Sequence, residues 1–88
     1  MNSVTGNTGP VLTLAQQRQA SLAGRRLSKK ELEILSWARQ GKTVWEISVI
    51  QAVSPSTVKF HLGRIYAKLQ VSNRAQAVGV ALKRGLLG

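Results

Sequence analysis

From Leu27 to Leu87 the apolar positions recur at helical intervals, and capping residues divide them into four segments. Leu27, Glu31, Ile34, Leu35 and Ala38 fall on one side of a helix predicted from about Lys29 to Arg39. Ser28 and Glu31 are spaced as a capping box, in which each side chain satisfies an orphan amide of the first turn, and Glu31 and Glu33 suit the positive end of the helix dipole. Gly41 supplies the left-handed turn that ends this helix. A two-turn helix is predicted from Thr43 to about Gln51, with Thr43 and Glu46 as a second box. Ser54 as cap and Pro55 at the first helical position open a third helix that continues to about Leu69. A fourth starts after Ser72 and ends at Gly85, with Leu86 and Leu87 folding back. With no strand signal, this is an all-α fold of four helices. Ahead of it, residues 1–26 read as a flexible tail or linker, with room for a short helix at 11–22.

The third segment divides most clearly. At about 100° per residue, Val58, Leu62, Ile65, Tyr66 and Leu69 form an apolar stripe. The opposite face carries Ser56, Lys59, Phe60, Gly63 and Ala67, flanked by Arg64. A short capped helix, a brief turn and a longer capped helix make a helix-turn-helix, whose second helix enters the DNA major groove. That opposite face is small, basic at one edge and carries one aromatic, and because a helix must approach base edges closely, bulky residues there would obstruct docking. Gly63 costs about 1 kcal/mol against alanine in a helix interior. Its cost is explained either by close approach to DNA or by a tight internal contact, and the wheel points it away from the core. Lys59 suits guanine O6 or N7, or else a phosphate, and Phe60 suits a thymine methyl, or else its own neighbours.

Charge agrees with that reading. Thirteen Lys and Arg stand against three acids in 88 residues, a net +10, and no acid follows Glu46. So one-sided a field draws polyanions, and DNA is the densest. Hydrophobic residues at 43% suit a folded domain rather than a disordered chain. No apolar run is long enough to span a bilayer, and no signal peptide opens the chain, so the expected setting is cytoplasmic, with no membrane partner. Zero cysteines and a single histidine, His61, leave neither a disulfide framework nor a metal site, and no cofactor is expected. There is no nucleophile–base set, so the chain does not read as an enzyme.

Helix starts at Thr43 and Ser54 present amides suited to phosphates, supported by Lys42 and the hydroxyls of Ser56 and Thr57, although such caps also serve purely structural ends. Arg64 and Lys68 lie toward the flank, where phosphate contact is favoured over base reading. His61, also on the flank, suits packing or a DNA backbone contact.

The ordered run of motifs is the most specific signal. The stretch from Leu27 to Thr43, then Glu46-Ile47-Ser48, Ser54-Pro55-Ser56-Thr57-Val58-Lys59-Phe60-His61-Leu62 and Lys68-Leu69-Gln70-Val71-Ser72-Asn73-Arg74-Ala75-Gln76-Ala77-Val78, resembles the LuxR/GerE-like helix-turn-helix domain. The segment from Gly41 to Ser48 is most similar to the quorum-sensing branch. The resemblance implies a bacterial transcription regulator occupying residues 27–88, with double-stranded DNA as partner. It places base reading at Lys59, Phe60 and Gly63, and phosphate contacts among Thr43, Thr57, His61, Arg64, Lys68, Asn73 and the adjacent Arg74. At Gly63 the family carries a larger or charged side chain, at Gln51 an apolar one and at Lys30 an arginine; the departures put in doubt one base contact and the packing between the second and third helices.

The last helix has more apolar surface than one core needs. Val71, Ala75, Val78 and Leu82 are expected to point inward, leaving Ala77, Val80 and Ala81 on other faces, with Gly79 adding room. The resemblance implies dimerisation through this helix, with Arg84 at its end, and so a homodimer on an inverted repeat. Residues 1–26 are too few to enclose a small-molecule ligand. The chain therefore reads as a free-standing regulator, an isolated DNA-binding unit, or a truncated partner that inhibits a full-length LuxR-type protein by forming heterodimers. A sequence-blind basic protein is a further rival: it would lack the ~10³ preference for one site expected of a regulator.

Overall fold

Every helix among the described residues, 11–88, begins on a side chain that caps it. The computed structural model has five: α1 (Leu14–Leu22), α2 (Lys29–Arg39), α3 (Val44–Gln51), α4 (Pro55–Leu69) and α5 (Arg74–Lys83), with no strand in that span. Of the tail or linker expected at 1–26, residues 1–10 lie outside the described residues. At α2 the Ser28 amide donates to Glu31 Oε1 at 2.8 Å and the Glu31 amide to Ser28 Oγ at 3.1 Å. Thr43 and Glu46 repeat the exchange with the same two distances. Ser54 Oγ accepts from the Thr57 amide at 3.1 Å, with Pro55 at the first helical position. The short helix in the leader falls at Leu14–Leu22, opened by a capping box between Thr13 and Gln16 that the sequence reading passed over.

α4 is the axis of the fold and touches α1, α2, α3 and α5. Its stripe is inward as expected: Val58, Leu62, Ile65 and Leu69 are buried, and Tyr66 packs against them from the edge. Leu27, Ile34, Leu35 and Ala38 from the α2 side and Ile47 from α3 close the core around it. Two left-handed residues shape the connections, Ala52 (φ 56°) after α3 and Gln70 (φ 58°) after α4. The Val53 amide returns to the Ser48 carbonyl at 3.0 Å, and the Val71 amide to Tyr66 at 2.9 Å, so both turns close on the helix they leave. Leu87 folds back on the core, and its carbonyl accepts from Arg39 at 2.8 Å. Gln51 has the polar partner it needs: Lys30 Nζ donates to its Oε1 at 3.0 Å, tying α2 to α3.

Three expectations are corrected. First, α5 is rotated from its predicted phase. Ala77 and Ala81, expected at a dimer interface, are fully buried in the protein's own core. Leu82, expected inward, is 44% exposed, and Ala75 is exposed. Small side chains let α5 approach its neighbours closely, and the larger Leu82 finds no room there. Val80 is half-buried against the core, so it too leaves the outer face, whereas Arg84 is exposed.

Second, Lys68 is interior. It is 7% exposed, donates to Glu31 Oε1 at 2.7 Å and to the Arg26 carbonyl at 3.2 Å, and its ammonium is thereby committed inside the protein. It is not a phosphate ligand. Third, Ala67, placed on the open face by the wheel, is buried, because α1 lies along that side of α4.

Candidate DNA interface

The N-terminal two-thirds of α4 presents Ser56, Lys59, Phe60 and Gly63 outward, all exposed, while the opposite stripe fixes the helix to the core. The side chains that could meet a ligand are thus carried by a helix that cannot roll. Phe60 is 61% exposed, an unusual placement for a large aromatic. Its ring is held by neighbours on the same helix: His61 meets it edge-on at 5.7 Å, and the Arg64 guanidinium stands 5.7 Å from its centroid. Arg64 is also steered from behind, its Nε 3.4 Å from Glu31 Oε2. The result is an apolar ring set between two cations, Lys59 and Arg64, on one exposed surface.

Gly63 faces open space. A Cβ built there meets no atom within 4 Å, which removes the tight internal contact as an explanation for the glycine. The folded protein therefore gains nothing from its absence of side chain, and Gly63→Ala is expected to raise stability by about 1 kcal/mol through helix propensity alone. A higher urea midpoint at unchanged slope checks this. A fall would mean that the surroundings of Gly63 are occupied.

The remaining polar candidates lie at the starts of α3, α4 and α5. Ser54 and Ser56 are exposed at its start and Thr57 is half-buried. Ser54 Oγ and Thr57 Oγ1 lie 2.9 Å apart, so the two hydroxyls already share a hydrogen bond and orient one another. Thr43 is exposed at the start of α3, beside a half-buried Lys42. Arg74 is half-buried and donates to the Lys42 carbonyl, so it positions the turn before α3 rather than reaching outward with that nitrogen. Asn73 is likewise engaged, its Oδ1 capping α5 through the Gln76 amide at 2.9 Å. His61 is half-buried, with a buried Nδ1 that has no hydrogen-bond partner.

Beyond Gly63 the surface changes. α1 borders a groove of about 600 Å³, with Gln19, Leu22 and Arg25 on one wall and Lys59, Gly63 and Arg64 on the other. The sequence reading missed this wall, since α1 has no apolar stripe to announce a docked helix. It missed the Glu31–Lys68 pair as well. The signal available was a glutamate placed by its spacing among core residues, where a carboxylate needs a cation.

A short capped helix, a turn closed by Ala52 and a longer helix with a buried stripe and a basic, small-residue outer face define a helix-turn-helix protein. Comparison with known families places it more closely. Residues 25–81 match the luxR family of bacterial regulatory proteins, and this chain belongs to that family. It is 49% identical over 73 residues to the HTH-type quorum sensing-dependent transcriptional regulator RpaR of Rhodopseudomonas palustris, an alignment covering 83% of this chain and 30% of that protein. Similarity extends to the transcriptional activator protein LuxR of Aliivibrio fischeri, 43% identical over 61 residues, covering 69% of this chain and 24% of LuxR. The transcriptional activator protein EsaR of Pantoea stewartii is 45% identical over 60 residues, covering 68% and 24% respectively. The matched part of the chain thus spans only 24% to 30% of the length of these relatives.

Proposed function

We propose that this chain binds a specific double-stranded DNA site as the DNA-binding unit of a quorum-sensing type transcription regulator, with α4 in the major groove. The observation that carries the reading is the face of α4 where Lys59, Phe60 and Gly63 are exposed on a helix anchored by Val58, Leu62, Ile65 and Leu69. The net charge of +10 supplies the sequence-independent attraction. Lys59 donates to a base edge, Phe60 meets a thymine methyl and Gly63 lets the helix backbone come close. Lys42, Thr43, Ser54, Ser56 and Thr57 hold flanking phosphates, with Arg64 at the edge of the face. The site of action is the bacterial nucleoid, in the cytoplasm.

Two copies bind an inverted repeat, with half-sites about one helical turn apart. The surface available for pairing is the outer face of α5, where Ala75, Gly79 and Leu82 are exposed and a Cβ on Gly79 would meet nothing. Selection of bound duplexes from a random pool tests both claims together: a two-fold consensus is expected, and recovery of no consensus would favour a sequence-blind basic protein. Lys59→Ala is expected to relax preference at one base pair and to cost ~1–3 kcal/mol on the selected site. A loss uniform across sequences would reassign Lys59 to phosphate. Adding a full-length relative to the selected duplex separates a regulator from an inhibitor: loss of the relative's binding through mixed dimers supports the inhibitor.

A further inference from the structure

We propose that α1 is a displaceable cover on the DNA-reading helix, docked in the free protein across the Gly63–Ala67 side of α4 and expelled when duplex enters. The inference rests on the DNA-binding reading of α4. α1 shares a groove with Lys59, Gly63 and Arg64 on one flank, and a second groove with Gly63, Tyr66, Ala67 and Gln70 on the other. Gln19 lines both grooves, so α1 runs over the span of α4 between Gly63 and Ala67. It buries Ala67, which would otherwise face solvent on the same side as Gly63. A major groove about 12 Å wide admits one helix about 10–12 Å across. It does not admit α4 with a second helix seated on its outer side. Close approach at Gly63 and the docked position of α1 exclude one another.

The packing is built to be lost. Of the α1 side chains described, only Leu22 is even half-buried. The helix has nine residues, too short to persist alone in water, so undocking and unwinding are one event. No α1 residue belongs to the buried core, which begins at Leu27. The segment that follows α1 is tied to α4 by the Gly24 amide, which donates to the Lys68 carbonyl at 2.9 Å, and by the Arg26 carbonyl, which accepts from Lys68 Nζ at 3.2 Å; Gly24 stands at φ +77° with free space around it. A hinge at Ala23 and Gly24 frees α1 while the Lys68–Arg26 bond and the core from Leu27 onward stay in place. α1 also holds no acid that would repel the approaching phosphates, so it covers by volume rather than by charge.

Ala20→Pro in the full chain breaks α1 from within and leaves every core residue in place. It is expected to bind the selected duplex about tenfold more tightly, with an unchanged urea midpoint for α2 to α5. Equal or weaker binding by a folded Ala20→Pro protein overturns the cover and makes α1 a bystander or a DNA contact. Hydrogen exchange on the unaltered protein decides the matter independently of any variant: α1 amides should lose protection when duplex is saturating, and retained or increased protection overturns the proposal. If duplex is bound by neither protein, the DNA-binding reading falls and the cover falls with it. If both bind equally, only the cover is lost.

Discussion

Glu31→Ala is expected to destabilise the protein by about 3–5 kcal/mol, a large share of the stability of a domain this size. Glu31 is 2% exposed and does three things at once. Its Oε1 accepts from Lys68 at 2.7 Å and from the Ser28 amide at 2.8 Å, and its Oε2 faces Arg64 at 3.4 Å. Removing it leaves the buried Lys68 ammonium with only the Arg26 carbonyl, uncaps α2 and frees the guanidinium beside Phe60. The asymmetry of buried ion pairs gives a sharper control. Glu31→Leu combined with Lys68→Met removes both charges for apolar groups of similar size, and should recover most of the loss. Urea midpoints of the single and double variants check both statements. Equal loss in the two would mean that the cap and the Arg64 contact, rather than the stranded ammonium, carry the energy.

The same carboxylate makes stability depend on acid. Burial pushes the Glu31 pKa up, but hydrogen bonds from Lys68 and the Ser28 amide, with the Lys68 charge, outweigh it and hold the group below 4.5. Glu46 is lowered too, chiefly by the Thr43 amide. A carboxylate with a depressed folded-state pKa stabilises fully above its unfolded value and loses that contribution as pH falls through the folded one. Unfolding should therefore become easier below about 4.5. The double variant should lose part of this dependence and keep the part due to Glu46. A flat profile in the parent protein would contradict the depressed carboxylates.

Local chemistry was the legible part of this fold. Ser28 with Glu31, Thr43 with Glu46, and Ser54 with Pro55 announce helix starts because each exchange spans only three residues. The α4 stripe was legible for a similar reason: large apolar side chains at helical spacing have one sensible place to go. What failed depended on distance or on size. Lys68 and Glu31 are 37 positions apart, and no local pattern distinguishes a lysine aimed at a phosphate from one folded inward onto a carboxylate. α1 was readable as a helix, yet its docking on α4 was not, since Gln16, Gln17 and Gln19 give no apolar face to match.

In α5 the apolar positions are spread around the helix, so spacing alone does not fix its phase, and the observed phase yields the second large effect. Ala81→Glu is expected to unfold the monomer, at a cost of roughly 4 kcal/mol or more from overpacking and an unpaired buried carboxylate. Ala81 has no exposed surface and sits in the core with Ile34, Leu35, Ile65 and Ala77. The residue one step further round the helix behaves differently. Leu82→Glu lies on the exposed face with Ala75 and Gly79, so its effect on the monomer should stay within about 0.5 kcal/mol while self-association weakens. Circular dichroism with urea and sedimentation equilibrium separate the two quantities. An Ala81→Glu protein with the parent's midpoint and a reduced tendency to pair would return Ala77 and Ala81 to the interface and turn α5 by about one residue's rotation. Because α5 meets both α2 and α4, such a turn would have to repack the core beneath the DNA-reading helix, and so the two surfaces of this small domain stand or fall on one packing arrangement.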